Sequence, residues 1–385
     1  MTRQVQVSRT TAVFLEKGHP WVRPDRFTKG LEAVKPGEAV TLVDERGRGL
    51  ASALAEPSGE VCARVFHRKP GMAFDVAAAL GRAWERRADL HADPTTTAYR
   101  IVHGEADFLP GLRVERLGDV LVVLVQATCA VPHLPALTAA LAQRLPGARI
   151  VVREHLDDLR RTPVAARLAD GSPLPPADTT VEVCERGVRL LATPFAGLAT
   201  GLYVDQRGTR DWLRTRVDGK RVLNTFAYTG AFGVAALMAG AREAIDTDLA
   251  APALATADAN ARLNGVAERH RSLQGDCRAV LTGLTEAPDV IIVDPPTAAQ
   301  GAGGWLLRRD YPEVLRLAWS RLAPGGLLLA CCNTLHGKPF PLAEVVDAAC
   351  PGGREEPAPD LGSDIPLVKG FPEGRPFRVA VRRKV

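Results

Sequence analysis

From Lys220 onward, short apolar runs alternate with stretches of helical periodicity. RVLNTF, AREAIDTD, a run into Gly275-Asp276, DVIIVDPP and LLLACCN read as strands. GAFGVAALMAG, ALATADANARLNG, CRAVLTGL and YPEVLRLAWSRL read as helices between them. Such alternation predicts a mostly parallel, doubly wound α/β sheet of Rossmann-like type, with helices on both faces. Ligands of these sheets bind outside the carboxyl ends of the strands, and the polar residues singled out below lie at those ends.

The amino-terminal half has a different texture. Residues 1–70 are short strand-like segments with turn punctuation, EAVTLVDERGRGLASALAEP above all, and predict a small β domain. Residues 72–90 predict one connecting helix. Residues 99–185 predict an α+β module. It comprises strands and a hairpin in YRIVHGEADFLPGLRVERLGDVLVVLVQ, the helix LPALTAALAQRL, the strand ARIVVRE, a connector from Arg160 to Thr179, and strands again in TVEVCERGVRLLATPF. The expected division is 1–72, 73–185 and 186–385.

Composition narrows the classes. A chain of 385 residues exceeds one ordinary domain, and 46% hydrophobic residues suffice for real cores. No apolar run reaches the ~18 residues of a membrane span. MTRQVQVSRT lacks the apolar core of a signal peptide, so a cytoplasmic location is expected. The seven cysteines are scattered without a CxxC, which argues against a zinc site or a disulfide framework. Net charge is +5, and residues 1–70 carry 12 Lys/Arg against 8 Asp/Glu. A basic amino-terminal domain suits a polyanion such as RNA, with Arg23, Arg64 and Arg68 as candidate phosphate contacts. The alternative is ordinary solvated charge.

Asn224 to Gly233 follow the first strand of the alternating region. Gly230 permits close backbone approach, and the next helix offers its amino end. Asp248 ends the second strand about 18 residues later, where an acid accepts both ribose hydroxyls of an adenosine. Asp246 is its rival, and a helix cap is the other reading of Asp248. Asp276 after the third strand is either an adenine contact or another cap. The turn AYTGAFG lacks the GxGxxG of dinucleotide enzymes. With the proline-rich loop described next, the pocket points to S-adenosylmethionine.

Asp294-Pro295-Pro296 forms a rigid loop after the fourth strand. Thr297 follows where enzymes that methylate exocyclic amines place an aromatic residue, which argues against that chemistry. Cys331 and Cys332 end the late strand LLLACC. A thiolate there can add to C6 of a pyrimidine and make C5 nucleophilic, its pKa lowered by His336 or by backbone donors. A pair of buried core cysteines is the competing reading.

With these residues in place, the chain resembles the bacterial 23S rRNA cytosine-C5 methyltransferases that carry an amino-terminal PUA domain. The resemblance runs through Gly18-His19-Pro20-Trp21-Val22, Tyr99-Arg100, Val102 to Asp107, Leu109-Pro110-Gly111, Thr200 to Arg207, the FAYTG turn, Asn260 to Gly265 and the Asp-Pro-Pro loop. It implies a small β-barrel PUA domain, a central α+β domain and a class I methyltransferase domain. It further implies that Cys332 is the nucleophile and Asp294 its partner. Gln206, Arg207, Phe226, Tyr228, Thr229, Gly230, Asp248, Asp276 and Asp294 would bind the cofactor. Tyr203, Asp205, Pro295, Pro296 and Thr297 would meet the substrate. The implied partners are RNA, 23S rRNA in particular, and a second copy of the chain.

The sequence departs from that family at three places. Ala199 and Thr297-Ala298 replace lysine or lysine-aromatic positions, and Cys331-Cys332-Asn333 replaces Ser-Cys-Ser. The departures keep three alternatives open: guanine N7 as acceptor, a non-RNA acceptor, or a PUA-type RNA-binding factor without catalysis.

Overall fold

The computed structural model describes residues 2–156, 164–196, 199–299, 304–333 and 340–385. Its chain falls into two units: residues 1–183 with 193–200 and 362–374, and residues 184–192 with 201–361 and 375–385.

The first unit contains two sheets. β1 (Arg3–Gln6), β2 (Trp21–Val22), β3 (Ala39–Val43), β4 (Gly49–Ala55) and β5 (Ala63–His67) form one, in the order β1-β3-β4-β5-β2. The β3–β4 hairpin turns where the Asp44 carboxylate accepts the backbone N–H groups of Arg46 and Arg48 at 3.0 and 2.9 Å. A helix not anticipated from the strand-like pattern, α1 (Arg9–Glu16), lies among these strands. Ser8 caps it by accepting from the Thr11 N–H, and it buries only Ala12 and Leu15.

The single connecting helix expected over 72–90 is two helices, α2 (Val76–Glu85) and α3 (Ala88–Ala92). The break falls at Arg87, whose buried guanidinium meets both Asp107 carboxylate oxygens at 2.7 Å and also donates to the Ala83 carbonyl. Next come β6 (Ala98–His103), β7 (Leu112–Leu117), β8 (Val120–Val125), α4 (Leu134–Arg144), β9 (Arg149–Glu154) and β10 (Ala165–Leu168). Their sheet runs β10-β9-β8-β7-β6. β10 lies inside the stretch expected to be only a connector. A small pair, β11 (Val181–Glu185) and β12 (Val188–Ala192), follows.

The second unit takes in β12 with the end of β11 and then α5 (Arg207–Arg214). It continues through β13 (Arg221–Thr225), α6 (Ala231–Met238), β14 (Glu243–Asp248), α7 (Ala251–Leu263), β15 (His270–Gln274), α8 (Cys277–Gly283) and β16 (Val290–Val293). A short ribbon, β17 (Ala298–Ala299) with β18 (Trp305–Leu306), precedes α9 (Leu307–Arg321), β19 (Leu327–Asn333), α10 (Leu342–Ala349), β20 (Arg354–Glu356) and β21 (Phe377–Arg383). The sheet order is β15-β14-β13-β16-β19-β21-β20. The first five strands are parallel; β21 and β20 close the edge antiparallel. VIIV of β16 is buried on both faces, as a central parallel strand between helical layers requires. The chain steps outward from β13 to β14 and β15, then returns to the other side of β13 with β16. That reversal creates a crevice at the carboxyl ends of β13 and β16.

Candidate active site

The turn after β13 is unusual in its backbone. Phe226, Tyr228 and Gly230 have φ of 55°, 50° and 72°. Left-handed conformations at non-glycine residues cost roughly 1–2 kcal/mol each, and hydrogen bonds hold them here. Ala227 N–H donates to the Thr247 carbonyl at 3.0 Å, and Tyr228 N–H donates to Asp248 Oδ2 at 2.9 Å. Gly201 is clipped to the same turn: its N–H donates to the Tyr228 hydroxyl at 3.0 Å, and its carbonyl accepts from the Thr229 hydroxyl at 2.7 Å. A Cβ on Gly230 would meet Ala257 Cβ and Asp246 Oδ2, each at 2.5 Å. The glycine is therefore demanded by packing beneath the turn as well as by its φ.

Asp248 and Asp246 have separate tasks. Asp248 opens onto a cavity and also accepts from Ala250 N–H at 2.9 Å. Asp246 is fully buried under the turn, where it accepts from Asn224 Nδ2 and lies 2.8 Å from His270 Nε2. Burial raises the Asp246 pKa. Burial alone would lower that of His270, but hydrogen bonding and charge from Asp246 outweigh it and raise the value.

The cavity has a volume of ≈ 210 Å³. Tyr203, Asp205, Gln206, Tyr228, Asp248, Asp294, Pro295 and Pro296 line it, so these expected residues converge from four separate chain segments. Asn333 lines it too and was not anticipated; the alternation along LLLACCN, which pairs it with Cys331, was the available signal. A larger cleft of ≈ 600 Å³ in the first unit, along α4 and β9, brings together arginines and one aspartate but no nucleophile.

Other expected residues stand behind this wall. The Arg207 guanidinium is buried, 3.6 Å from Asp211. Phe226 packs on Trp305 with ring centroids 4.9 Å apart. Asp276 caps α8, accepting from Arg278 N–H at 2.8 Å and from its guanidinium at 3.1 and 3.0 Å. Those bonds hold its carboxyl below the usual range and engage it as the cap of α8. Thr297 gives its carbonyl to Leu307 N–H at 3.0 Å.

Asp294 is the most perturbed acid of the cavity. Burial, then the neighbouring Asp205 carboxylate, raises its pKa to about 7, against a hydrogen bond from Gln206 and the charge of Arg210. Gln206 Nε2 donates to Asp294 Oδ2 at 3.0 Å. Arg210 is itself fixed by Glu185 at 2.6 Å and donates to the Tyr203 carbonyl at 3.0 Å, which sets the start of α5. The loop is braced from below: Trp305 Nε1 donates to the Pro296 carbonyl at 2.6 Å. The Tyr311 hydroxyl sits between the Val293 and Cys331 carbonyls at 3.0 and 2.6 Å, tying β16 to β19.

The two cysteines face opposite ways. Cys332 joins Leu328 and Ala330 in the apolar core beside Tyr311 and Leu342. It is 2% exposed, its thiol donates to the Asn333 carbonyl at 3.3 Å, and burial pushes it up to about 11 while Arg378 and Arg308 pull it down. Cys331 is fully buried on the other face. Burial and Asp294 raise its pKa well above the thiol range, against a Gln206 hydrogen bond. His336 lies outside the described residues.

In the first unit, Arg64 is no solvated cation. Its side chain is only 13% exposed, held between Glu56 and Glu105 at 2.8 and 2.9 Å, which corrects its assignment as a phosphate contact. Arg68 is exposed but donates to the Leu15 and Gly18 carbonyls, and Arg23 is exposed beside the Trp21 ring.

Residues 100–353 match the family described as S-adenosylmethionine-dependent methyltransferase, and residues 5–68 match the PUA-like domain. A solved methyltransferase complexed with S-adenosylhomocysteine shares the fold: TM-score 0.83, 20% identity, 99% of this chain and 100% of that one. Fold and site thus define an S-adenosylmethionine-dependent methyltransferase with a PUA-like amino-terminal domain. Ribosomal RNA large subunit methyltransferase I of Cronobacter sakazakii is 34% identical over 380 residues, covering 94% of each chain. The protein of the same name from Aeromonas hydrophila is 32% identical and covers 95% of this chain and 97% of its own. The chain belongs to the family of ribosomal RNA large subunit methyltransferase I. S-adenosylmethionine is its cofactor, and the cavity suits it: a left-handed turn, a helix amino end behind it, and the Asp248 carboxylate on the wall.

Proposed function

We propose that this enzyme methylates C5 of a cytosine in large-subunit ribosomal RNA, with Cys332 as nucleophile and Asp294 as the acid beside it. The observation that carries the reading is the pairing of β16 with β19, in which Val293 is aligned with Ala330. A protonatable aspartate and a cysteine pair then end neighbouring strands at one edge of the sheet. The names of the relatives and the PUA-like domain support RNA as the acceptor.

The bound cofactor supplies an electrophilic methyl group. Asp248 would hold its ribose and the turn at Tyr228, Thr229 and Gly230 its backbone contacts, with Arg207 and Phe226 supporting the wall from behind. The chain's own groups prepare the base. The Cys332 thiolate forms a bond to C6, and the C5–C6 electron pair moves to C5. Asp294, half neutral near pH 7, donates its proton to N3 and offsets the charge that develops on the ring. C5 then takes the methyl group that the cofactor would supply, N3 returns its proton to Asp294, and loss of the C5 proton to solvent with departure of the Cys332 thiolate restores the aromatic base. Tyr203, 55% exposed and 5.5 Å from the Tyr228 ring, offers a face on which the base stacks. Pro295, Pro296 and Thr297 keep the loop from shifting.

A second reading gives the nucleophile's role to Cys331, because that thiol lies on the Asp294 and Gln206 side of β19. Large-subunit RNA containing 5-fluorocytosine separates the two. The main reading expects a covalent adduct that Cys332→Ser abolishes and Cys331→Ser leaves intact. The reverse pattern assigns the thiolate to Cys331. No adduct, together with normal methylation by Cys332→Ala, ends the cysteine mechanism and favours guanine N7.

A further inference from the structure

We propose that Gln206 accepts a hydrogen bond from the 4-amino group of the target cytosine and thereby selects cytosine over uracil. The proposal rests on the cytosine-C5 reading and adds to it the residue that chooses the base.

Gln206 is 4% exposed and yet lines the cavity. Its two amide atoms are not equivalent. Nε2 is committed to Asp294 Oδ2 at 3.0 Å. Oε1 is buried and accepts no N–H or O–H among the described residues; the Cys331 thiol beside Gln206 is only a weak donor. Leaving such a carbonyl unpaired is unfavourable, and buried acceptors in folded proteins are otherwise paired. The polar atom therefore calls for a donor brought by a ligand.

The neighbouring groups define that donor. Asp205, Asp248 and Asp294 are acids, so this wall offers acceptors and, from a neutral Asp294, one O–H. An occupant that meets Asp294 and Gln206 side by side must show an acceptor next to a donor. The N3 and 4-amino edge of cytosine does so: Asp294 donates to N3 and Gln206 Oε1 accepts from the amino group. Uracil presents N3–H and O4 instead, which sets oxygen against Oε1 and a donor against an O–H. A site built to bond a substrate N–H discriminates strongly, because the mismatched base leaves buried groups unpaired.

The side chain cannot easily turn to suit uracil. Gln206 ends the turn Val204–Gln206 that leads into α5, and α5 is pinned by the Arg210–Glu185 pair at 2.6 Å. A flipped amide would also give up the bond to Asp294.

The test uses the full-length enzyme and a large-subunit RNA fragment whose target cytidine is replaced by 2-pyrimidinone riboside, which lacks only the amino group. In the wild type, removing that group should lower kcat/KM by about tenfold or more, the worth of one buried hydrogen bond. In Gln206→Ala the ratio between the two substrates should shrink by about tenfold relative to the wild type, the difference in intrinsic ring reactivity cancelling in the ratio of ratios. The proposal is overturned if the variant keeps the wild-type ratio, or if its activity loss is matched by an equal rise in cofactor Kd. The underlying reading fails separately: the wild type would then yield no 5-methylcytidine from the unmodified fragment.

Discussion

Tyr228 N–H donates to Asp248 Oδ2 at 2.9 Å, fastening the left-handed turn after β13 to the end of β14. The same carboxylate faces the cavity, so the side chain that fixes the turn is also the one proposed to hold the cofactor's ribose. Charge-assisted hydrogen bonds contribute roughly 1.5–3 kcal/mol each. Asp248→Ala should therefore raise the S-adenosylmethionine Kd by about 10–100-fold in calorimetry, and Asp248→Asn by less. An unchanged Kd would place the ribose elsewhere.

The buried Asp246–His270 pair makes stability depend on pH. His270 has a raised pKa in the folded state, so its contribution is fully present below its ordinary value of 6.5 and is lost as pH rises through the raised one. Asp246, also raised, acts in the same direction at lower pH, above 3.8. In urea unfolding, the stability gap between the wild type and His270→Gln should narrow as pH rises above about 6.5. A gap that widens with pH would reverse the assignment.

Asp294, at about 7, and Cys332, at about 11, are both needed in defined protonation states: the acid neutral, the thiol ionised. Below about pH 7 the acid is neutral and kcat/KM rises tenfold per pH unit as thiolate accumulates. Above that value the gain in thiolate is cancelled by loss of the neutral acid, and the profile levels off. Asp294→Asn should be much slower but should keep rising to pH 9. A break near pH 7 in both enzymes would assign it to another group.

Arg64 and Arg23 should behave oppositely. Removing the Arg64 guanidinium strands Glu56 and Glu105, and breaking a buried pair costs about 3–5 kcal/mol. Arg64→Ala should therefore lower the unfolding midpoint. Arg23→Ala should leave stability alone, weaken RNA binding and reduce its logarithmic salt slope by about 1. A salt slope that answers to Arg64 in a folded variant would restore that residue as a phosphate contact.

The sheet was legible because its strands are buried on both faces and its helices keep their period. Asp248 was legible from its distance to Gly230. What the sequence concealed depends on partners far along the chain. β21 is arginine-rich, FRVAVRR, and becomes a strand by pairing along all of β19. Arg64 looks like surface charge until Glu105 is brought beside it. The Gln206–Asp294 bond spans 88 residues. By contrast, α1 was hidden by its brevity, and the capping of α8 by Asp276, which accepts from Arg278 N–H two residues on, was visible in the sequence from the start.

Mass spectrometry of nucleosides from large-subunit ribosomal RNA of a deletion strain tests the central claim most directly. Deletion should remove one 5-methylcytidine, restored by the wild-type gene and not by Cys332→Ala. An unchanged 5-methylcytidine content, or loss of 7-methylguanosine instead, would contradict it.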